Sequence, residues 1–299
     1  MSVQSYIACT RMYNACPAVT NLWASLVKEL SRTSGVPLRF EIHPYPLDIE
    51  SLWGRQDLGL VFICGRAFAL GGMRHRALAV PLRGLPDESP DNSDNAASSY
   101  HTKILVHRDS PFMRIEDIFD KRIGWTVKHS MSGYFALKRH LENRSGKDVL
   151  SLSTKTAIPL HTPTNCLKAL KNGTVDAVPL DGYFYDLLLR NVPVALDHTR
   201  VIDITREYPM PFLAASPQIS DVARTSLQLA LRSAAKLPPL EPVLNSLGLK
   251  GFSEVISEDY AFMAENGDEP DEPAKSHRAK AIRNARHMRP GFHKTRSVI

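Results

Sequence analysis

The stretch that decides the fold is RIGWTVKHSMSGYFALKRHL, residues 122–141. Its first part, residues 123–127, is a short apolar run with the length and the Trp and Val content of a buried strand. A small polar loop containing Ser130, Ser132 and Gly133 follows. Apolar residues then recur three and four positions apart, as they do on one face of a helix. The stretch therefore predicts a strand, a short loop and a helix in direct succession.

The loop has two interpretations. Ser130 or Ser132 is suited to cap the helix, because a serine oxygen accepts a hydrogen bond from a first-turn N–H group. Other N–H groups of that turn have no partner inside the helix, and with the helix dipole and nearby Lys128 they favour an anion or polar ligand. An ordinary capped helix also explains the two serines, so this stretch alone does not distinguish a helix cap from a ligand site.

Strand and helix patterns alternate along most of the chain, which predicts an α/β fold. Strands are predicted at residues 5–10, 38–43, 58–63, 78–82, 102–107, 123–127, 156–161, 175–180, 200–205 and 211–215. Helices are predicted at about residues 17–32, 48–53, 115–119, 163–171, 181–190, 219–236, 240–247 and 253–263. Alternation of this kind implies parallel strand pairing, and ligands of such sheets bind at the carboxyl ends of the strands.

The alternation divides into two units. Residues 85–99 are polar and rich in turn formers, which is typical of a surface loop or linker. A second α/β series begins at residue 102, and the helix-rich stretch after residue 200 suits a chain that returns to complete the first unit.

The composition is that of a soluble globular protein, with 43% apolar and 23% charged residues in 299. No run of about 18 apolar residues is present, and the N-terminal sequence lacks the features of a signal peptide. We therefore expect a cytoplasmic protein on the sequence as given, or a periplasmic one if the true start lies upstream. The four cysteines form no C-x-x-C pair, and no cysteine–histidine cluster has zinc spacing, so we expect neither a metal nor a cofactor.

The positive charge lies in the C-terminal tail. Residues 274–299 hold eight basic and no acidic residues, which leaves 29 basic and 31 acidic residues in residues 1–273. The tail is expected to be a solvated, disordered arm because it has little apolar content. The alternative is a basic helix that binds RNA, DNA or an anionic membrane. Apart from this tail, the sequence has no strong nucleic-acid or membrane signal.

Catalytic motifs are missing from the sequence. It contains no G-x-S-x-G, P-loop or G-x-G-x-x-G pattern. His129 adjoins the serine loop but has no evident acidic partner nearby in sequence, so a Ser-His-Asp triad is unsupported. Two other residues have two interpretations each. Arg66 is either a cation for an anionic ligand or a solvated surface arginine, and Thr162 either caps a helix or touches the ligand.

Several motifs in this order resemble one family. The sequence SYH at residues 99–101 leads into KILVHRDSP, and RIEDIFDKRIGWTV, HSMSGYFALKRHL, KALKNGTVDAVPLDGYFYDLL and VIDITREYPMPFLAAS follow. Together they resemble the substrate-binding proteins of phosphonate/phosphate-type ABC transporters, over about residues 3–260. That resemblance implies a type 2 periplasmic-binding-protein fold with two lobes and two crossover strands.

The resemblance also implies the lobe boundaries. Residues 1–99 and 206–263 would form lobe one, residues 100–205 would form lobe two with the crossover strands, and residues 264–299 would be the disordered tail. The ligand would lie in the cleft between the lobes. The residues expected to contact it are Tyr13, Arg66, Tyr100, His101, Ser130, Ser132, Gly133, Thr162 and Asp181. Among them, Asp181 would accept hydrogen bonds from an amine or hydroxyl of the ligand.

The expected function is non-catalytic binding of a small anionic or polar ligand, such as a phosphonate or phosphate, with an ABC transporter permease as a possible partner. The alternatives are an enzyme on the same fold, of the pyrimidine-synthesis or menaquinone-pathway type, and a cytoplasmic ligand-sensing domain.

Overall fold

A computed structural model describes residues 5–84, 94–146 and 157–264. The strands in these residues are β1 (Tyr6–Cys9), β2 (Leu38–Phe40), β3 (Leu58–Ile63), β4 (Arg76–Arg83), β5 (Ser99–Tyr100), β6 (Thr102–His107), β7 (Ile123–Trp125), β8 (Ala157–Pro159), β9 (Ala177–Asp181), β10 (Thr199–Ile204), β11 (Tyr208–Pro209), β12 (Phe212–Ala215) and β13 (Leu249–Ser253). The α-helices are α1 (Pro17–Ser34), α2 (Ile49–Trp53), α3 (Gly65–Leu70), α4 (Asp94–Ala97), α5 (Ala136–Ser145), α6 (Pro163–Lys171), α7 (Gly182–Asn191), α8 (Asp221–Ser233) and α9 (Glu241–Leu247). The α/β fold class predicted from the sequence is confirmed.

The first sheet has the strand order β13-β4-β12-β3-β1-β2. Strand β1 lies between β2 and β3 and is parallel to both. The prediction of parallel pairing is wrong for β4, whose neighbours β12 and β13 both run antiparallel to it. The reason is long-range: the chain returns after residue 205 and inserts β12 between β3 and β4, which no local pattern reports.

The second sheet has the order β10-β6-β9-β7-β8. Strand β7 is parallel to β8 and β9, whereas β6 is antiparallel to β9 and β10. The two sheets are joined where the chain passes between them in both directions. There β5 and β11 form a separate antiparallel pair, with Tyr100 opposite Tyr208. These are the two crossover strands that the sequence predicts. The exact lobe boundaries at residues 99/100 and 205/206 stay a prediction.

The C-terminal part differs from the prediction in two places. Strand β13 was not predicted, because LKGFS has only weak strand character and β4 supplies the pairing that fixes it. The helix predicted at residues 253–263 is wrong, since β13 extends to Ser253 and a 3₁₀ helix spans Ser257–Ala264. The tail that is predicted to be disordered lies, after Ala264, outside the described part of the chain. Most of the predicted linker at residues 85–99 also lies outside it.

The helix patterns predict the buried faces well. In α1 the residues at helical spacing are buried, as expected: Val19, Trp23, Leu26, Val27 and Leu30. A separate apolar cluster lies on the second sheet and includes Ile104, Val106, Leu137 and Leu141. None of the helices in the described residues is long and apolar enough to cross a membrane.

Leu137 provides a test of the second cluster. It is fully buried, so replacing it with alanine removes apolar contacts and leaves a cavity. We expect Leu137→Ala to lower the free energy of unfolding by about 2–5 kcal/mol in urea unfolding. The control Leu229→Ala changes a leucine that is 54% exposed and should alter it by less than about 0.5 kcal/mol. Equal effects of the two substitutions would contradict the assigned packing.

Candidate functional site

A cavity of about 700 Å³ lies between the two sheets. Its walls come from the segments that follow β1, β2 and β3 in the first sheet and β7, β8 and β9 in the second. The three strands named in each sheet are the ones that pair in parallel: β1 with β2 and β3, and β7 with β8 and β9. The cavity is therefore at the carboxyl ends of parallel strands, where ligands of such sheets bind.

Helices α1, α3, α5, α6 and α7 of the described chain begin at this cavity. Helix α3 starts after Cys64 and α7 starts after Asp181, whose carboxylate binds the first turn of α7. The other three, α1, α5 and α6, hold no carboxylate at their starts.

Cys16 and Pro17 at the start of α1 line the cavity, as do Ser130, before the helical turn Met131–Phe135 that continues into α5, and Thr162, before α6. The starts of helices carry partial positive charge and N–H groups without partners inside the helix. Of these three starts, one comes from the first sheet and two come from the second, so both sides of the cavity favour a negative group.

Ser130 and Thr162 are both N-caps, and both keep a donor for a ligand. Ser130 Oγ accepts from the Gly133 N–H at 3.0 Å, and Thr162 Oγ1 accepts from the Asn165 N–H at 3.1 Å. A hydroxyl that accepts in this way still has its own hydrogen to donate. The two alternatives raised by the sequence, capping and ligand contact, are thus compatible in the same side chain.

Gly133 is required because its backbone lies directly against the side chain of Thr126. A Cβ atom built at this position would lie 1.9 Å from Thr126 Oγ1, far inside contact distance. The Thr126 N–H also donates to the Gly133 carbonyl at 3.0 Å. Gly133 therefore allows the helix start to pack directly against the segment that follows β7.

Asp181 lies at the end of β9 and is tied to both sheets. Its Oδ1 accepts from the N–H groups of Tyr183 and Phe184, at 3.0 Å each, and so caps α7. Its Oδ2 accepts from Ser132 Oγ at 3.0 Å and from Tyr13 Oη at 3.4 Å. Tyr13 belongs to the first-sheet side and Ser132 to the second, so this carboxylate links the two sides beneath the cavity.

Burial dominates the electrostatics of this group. Asp181 is 7% exposed, and the loss of hydration raises the pKa of its carboxyl to about 6, although the four donors act in the opposite direction. Burial, with the Asp181 charge as a smaller cause, also raises the pKa of Tyr13 well above its usual value. Tyr13 therefore donates its hydroxyl hydrogen and stays neutral.

Six of the nine predicted site residues line the cavity: Tyr13, Ser130, Ser132, Gly133, Thr162 and Asp181. Arg66, Tyr100 and His101 do not line it. The Arg66 guanidinium is buried, donates to the Met263 carbonyl at 2.6 Å and lies 4.0 Å from the centre of the Phe135 ring. Arg66 is thus not the solvated surface arginine that was one alternative, and its contact with a ligand stays a prediction.

The other two residues belong to the crossover region. Tyr100 is a buried residue of β5. The His101 carbonyl accepts from the Gly182 N–H at 2.9 Å, and burial lowers the pKa of the His101 imidazole to about 4. Tyr100 is thus part of a crossover strand, and the His101 carbonyl binds the backbone at the start of α7.

The cations at the cavity are residues that the sequence reasoning missed. Arg11 and Lys168 line it, and Arg11 also donates to the Leu47 carbonyl at 2.5 Å. Lys168 is an exposed residue in the last turn of α6. The usable signal was the position of Arg11 directly after a predicted strand, at the end of the strand where ligands of such sheets bind.

Two contacts cross the cavity from one side to the other. His129 Nδ1 lies 3.0 Å from Glu50 Oε1, and the rings of Tyr45 and His161 stack with their centres 5.7 Å apart. The sequence showed no acidic partner for His129, because Glu50 is far away along the chain. Burial lowers the pKa of His129, while Glu50 acts to raise it.

No group of three or more metal-binding side chains occurs in the part of the chain that the structure describes. Two lobes joined by two crossover strands, with a cavity between them at the carboxyl ends of parallel strands, are the architecture of the type 2 periplasmic-binding fold. Residues 15–260 match the family described as "ABC transporter, phosphonate, periplasmic substrate-binding protein", and the chain belongs to this family.

Solved structures agree with this fold. The PhnD1 protein of Prochlorococcus marinus, in complex with methylphosphonate, has a TM-score of 0.69 at 15% identity, over 87% of this chain and 95% of that one. A binding protein component of an ABC phosphonate transporter from Pseudomonas aeruginosa has a TM-score of 0.69 at 14% identity, over 94% and 95%. A Xanthomonas citri protein bound to ATP has a TM-score of 0.59 at 16% identity, over 87% and 97%. At these identities the likeness shows the fold alone. No curated protein matches the sequence.

Asp181 gives a prediction about pH. The pKa of Asp181 is about 6 in the folded chain and ordinarily 3.8. Between pH 3.8 and pH 6 the folded state therefore keeps a proton on this carboxyl that the unfolded state has lost. The free energy of unfolding therefore falls by about 3 kcal/mol from this group as pH rises from 4 to 7. In Asp181→Asn this contribution is missing, so the variant should gain stability relative to the native chain as pH rises.

Urea unfolding of both proteins at pH 4.5, 5.5, 6.5 and 7.5 measures this difference. Asp176→Asn is the control, because the pKa of Asp176 is lowered by its hydrogen bond to Arg122 and this carboxylate stays ionised over the whole range. Its stability difference from the native chain should be constant. A constant difference for Asp181→Asn as well would contradict the assignment.

Proposed function

We propose that the protein binds a small anion, a phosphonate or a similar oxyanion, in the cavity between its two lobes. The observation that carries the proposal is the convergence of the starts of α1, α5 and α6 on this cavity, two of them capped by hydroxyl groups. Helix starts bind anions because their N–H groups and dipoles favour negative charge. A phosphonate has three oxygens that can accept hydrogen bonds, which suits donors that come from several directions.

The charges around the cavity favour an anionic ligand, because hydrogen bonds from the protein already satisfy the Asp181 carboxylate. Arg11 and Lys168 line the cavity and attract negative charge. The Asp181 carboxylate would repel it, but each of its oxygens already accepts two hydrogen bonds. We therefore infer that Asp181 acts by holding Tyr13 and Ser132 in place, and that Ser130 and Thr162 donate directly to the ligand.

The family supports the choice of phosphonate. Its description names phosphonate, and the Prochlorococcus protein with the same fold was solved with methylphosphonate. We propose that ligand binding brings the lobes together, as in other two-lobed binding proteins, and that the ligand then passes to an ABC transporter permease. The family description is periplasmic, whereas the cytoplasmic location expected from the sequence stays a prediction.

We propose that binding is not followed by turnover. An enzyme at this site would need a group that is free to take or give a proton. Both oxygens of the Asp181 carboxylate are held by protein donors, two on each, which leaves this group no open position for a substrate. These contacts favour a binding role over the enzyme that the sequence left as an alternative.

A thermal-shift assay with methylphosphonate, phosphate and methylsulfonate tests the proposal. A ligand at a hundredfold excess over its Kd should stabilise the native chain by about 2.7 kcal/mol. Ser130→Ala and Thr162→Ala should each weaken the affinity about tenfold or more in calorimetry, since each removes a hydrogen bond to a charged ligand. Recovered ligand should be chemically unchanged.

Ser220→Ala is the matched control. Ser220 caps α8 by accepting from the Ala223 N–H at 3.2 Å, and it does not line the cavity. Each of the three substitutions should cost about 1 kcal/mol of stability through loss of a cap. Only the two at the cavity should change affinity. Absence of binding by all three anions at millimolar concentration, or equal affinity losses in all three variants, would overturn the proposal.

A further inference from the structure

A second, smaller cavity of about 180 Å³ lies between helix α5 and the crossover segment that follows β10. It shares none of its described lining residues with the cavity between the lobes. Cavities that hold drug-sized ligands commonly have volumes of about 300–1,000 Å³. The second cavity is smaller than this range, so its size suits a small ion or group.

One face of α5 forms a wall of this cavity. The lining residues from this helix recur at spacings of three and four, which places them side by side on the helix surface: Ala136, Arg139, His140, Asn143 and Arg144. Leu137 and Leu141 of the same helix are buried in the apolar cluster on the second sheet. The packing of these leucines fixes the helix, and the face beside them brings two arginines to the cavity.

The crossover segment adds a third arginine and a tyrosine to the lining. The guanidinium carbon of Arg206 lies 4.8 Å from the centre of the Tyr208 ring. Tyr208 is only 4% exposed, and its hydroxyl makes no hydrogen bond to any residue that the structure describes. Buried tyrosine hydroxyls usually have a hydrogen-bond partner. The Tyr208 hydroxyl is therefore available as a donor to a ligand in this cavity.

The charge of the lining is positive. Three arginines line the cavity, and none of its described lining residues is acidic. Two carboxylates lie beside it. Asp203 is hydrogen-bonded to His140 Nε2 at 2.8 Å and lies 3.7 Å from Arg144 Nη2, and Glu142 lies 3.8 Å from Arg139 Nη1. A guanidinium has five N–H donors, so an arginine beside one carboxylate still has donors for a second acceptor.

We propose that this cavity is a second anion site, which binds a small oxyanion of the phosphate type between α5 and the crossover segment. Arginine suits such a ligand because its planar fork of donors matches two oxygens of a phosphate group. Arg139 and Arg144 approach from the helix, and Arg206 and Tyr208 approach from the crossover segment. The site uses none of the helix starts on which the proposed function depends.

Equilibrium dialysis of the full chain with radiolabelled inorganic phosphate at low salt tests this site. The background is the double variant Ser130→Ala/Thr162→Ala, which lacks the two hydroxyl donors proposed for the cavity between the lobes. We expect this protein to bind phosphate saturably. Adding Arg144→Gln or Tyr208→Phe should weaken that binding about tenfold or more, since each removes a hydrogen bond to a charged ligand.

Two matched controls lie outside both cavities. Arg224 on α8 is also a helix arginine in a loose ion pair, 3.8 Å from Asp221, and Arg224→Gln should leave phosphate binding unchanged. Tyr260 is buried, and its hydroxyl donates to the Met210 carbonyl at 2.7 Å. Tyr260→Phe should therefore lower the melting temperature without changing phosphate binding.

The outcomes are distinct from those that test the cavity between the lobes. Absence of saturable phosphate binding by the background protein at millimolar concentration would overturn the second site. Unchanged affinity in Arg144→Gln or in Tyr208→Phe, or an equal loss in Arg224→Gln, would also overturn it. None of these results bears on the binding of methylphosphonate at Ser130 and Thr162 in the native chain.

Discussion

The first turn of a helix has N–H groups without partners in the helix, and the first turns of α1, α5 and α6 open on one cavity in this protein. This constraint explains the local sequence around each turn. Ser130 and Thr162 satisfy one N–H group each and still have a hydrogen to donate. Gly133 allows the helix after Ser130 to begin against Thr126. The remaining positive potential is directed into the space between the lobes, which makes an anion the natural occupant.

Asp181 is the acidic group among these helix starts. It caps another helix, α7, and accepts hydrogen bonds from one residue of each side, Tyr13 and Ser132. The buried carboxylate costs stability because burial removes its hydration, and the four donors limit that cost. The same hydrogen bonds fix the floor of the cavity. Together with the contacts of His129 with Glu50 and of Tyr45 with His161, they connect the two lobes around the site.

The sequence predicts those parts of the structure that have a local cause. A helix cap is a local signal, so Ser130 and Thr162 were found, and the helical spacing of Trp23 and its neighbours gave the buried face of α1. The motif order gave the family and the crossover strands. The burial of Arg66 against Phe135 and Met263 has no local signal, because it depends on segments far away along the chain. The insertion of β12 beside β4 is a long-range feature of the same kind.

A crystal structure with methylphosphonate tests the central claim most directly. The account predicts that the phosphonate lies between the lobes, with its oxygens within about 2.7–3.2 Å of donors at the first turns that follow Ser130 and Thr162. Asp181 should keep its bonds to Tyr13 and Ser132. Phosphonate bound outside the cavity, or within it but away from both helix starts, would contradict the account.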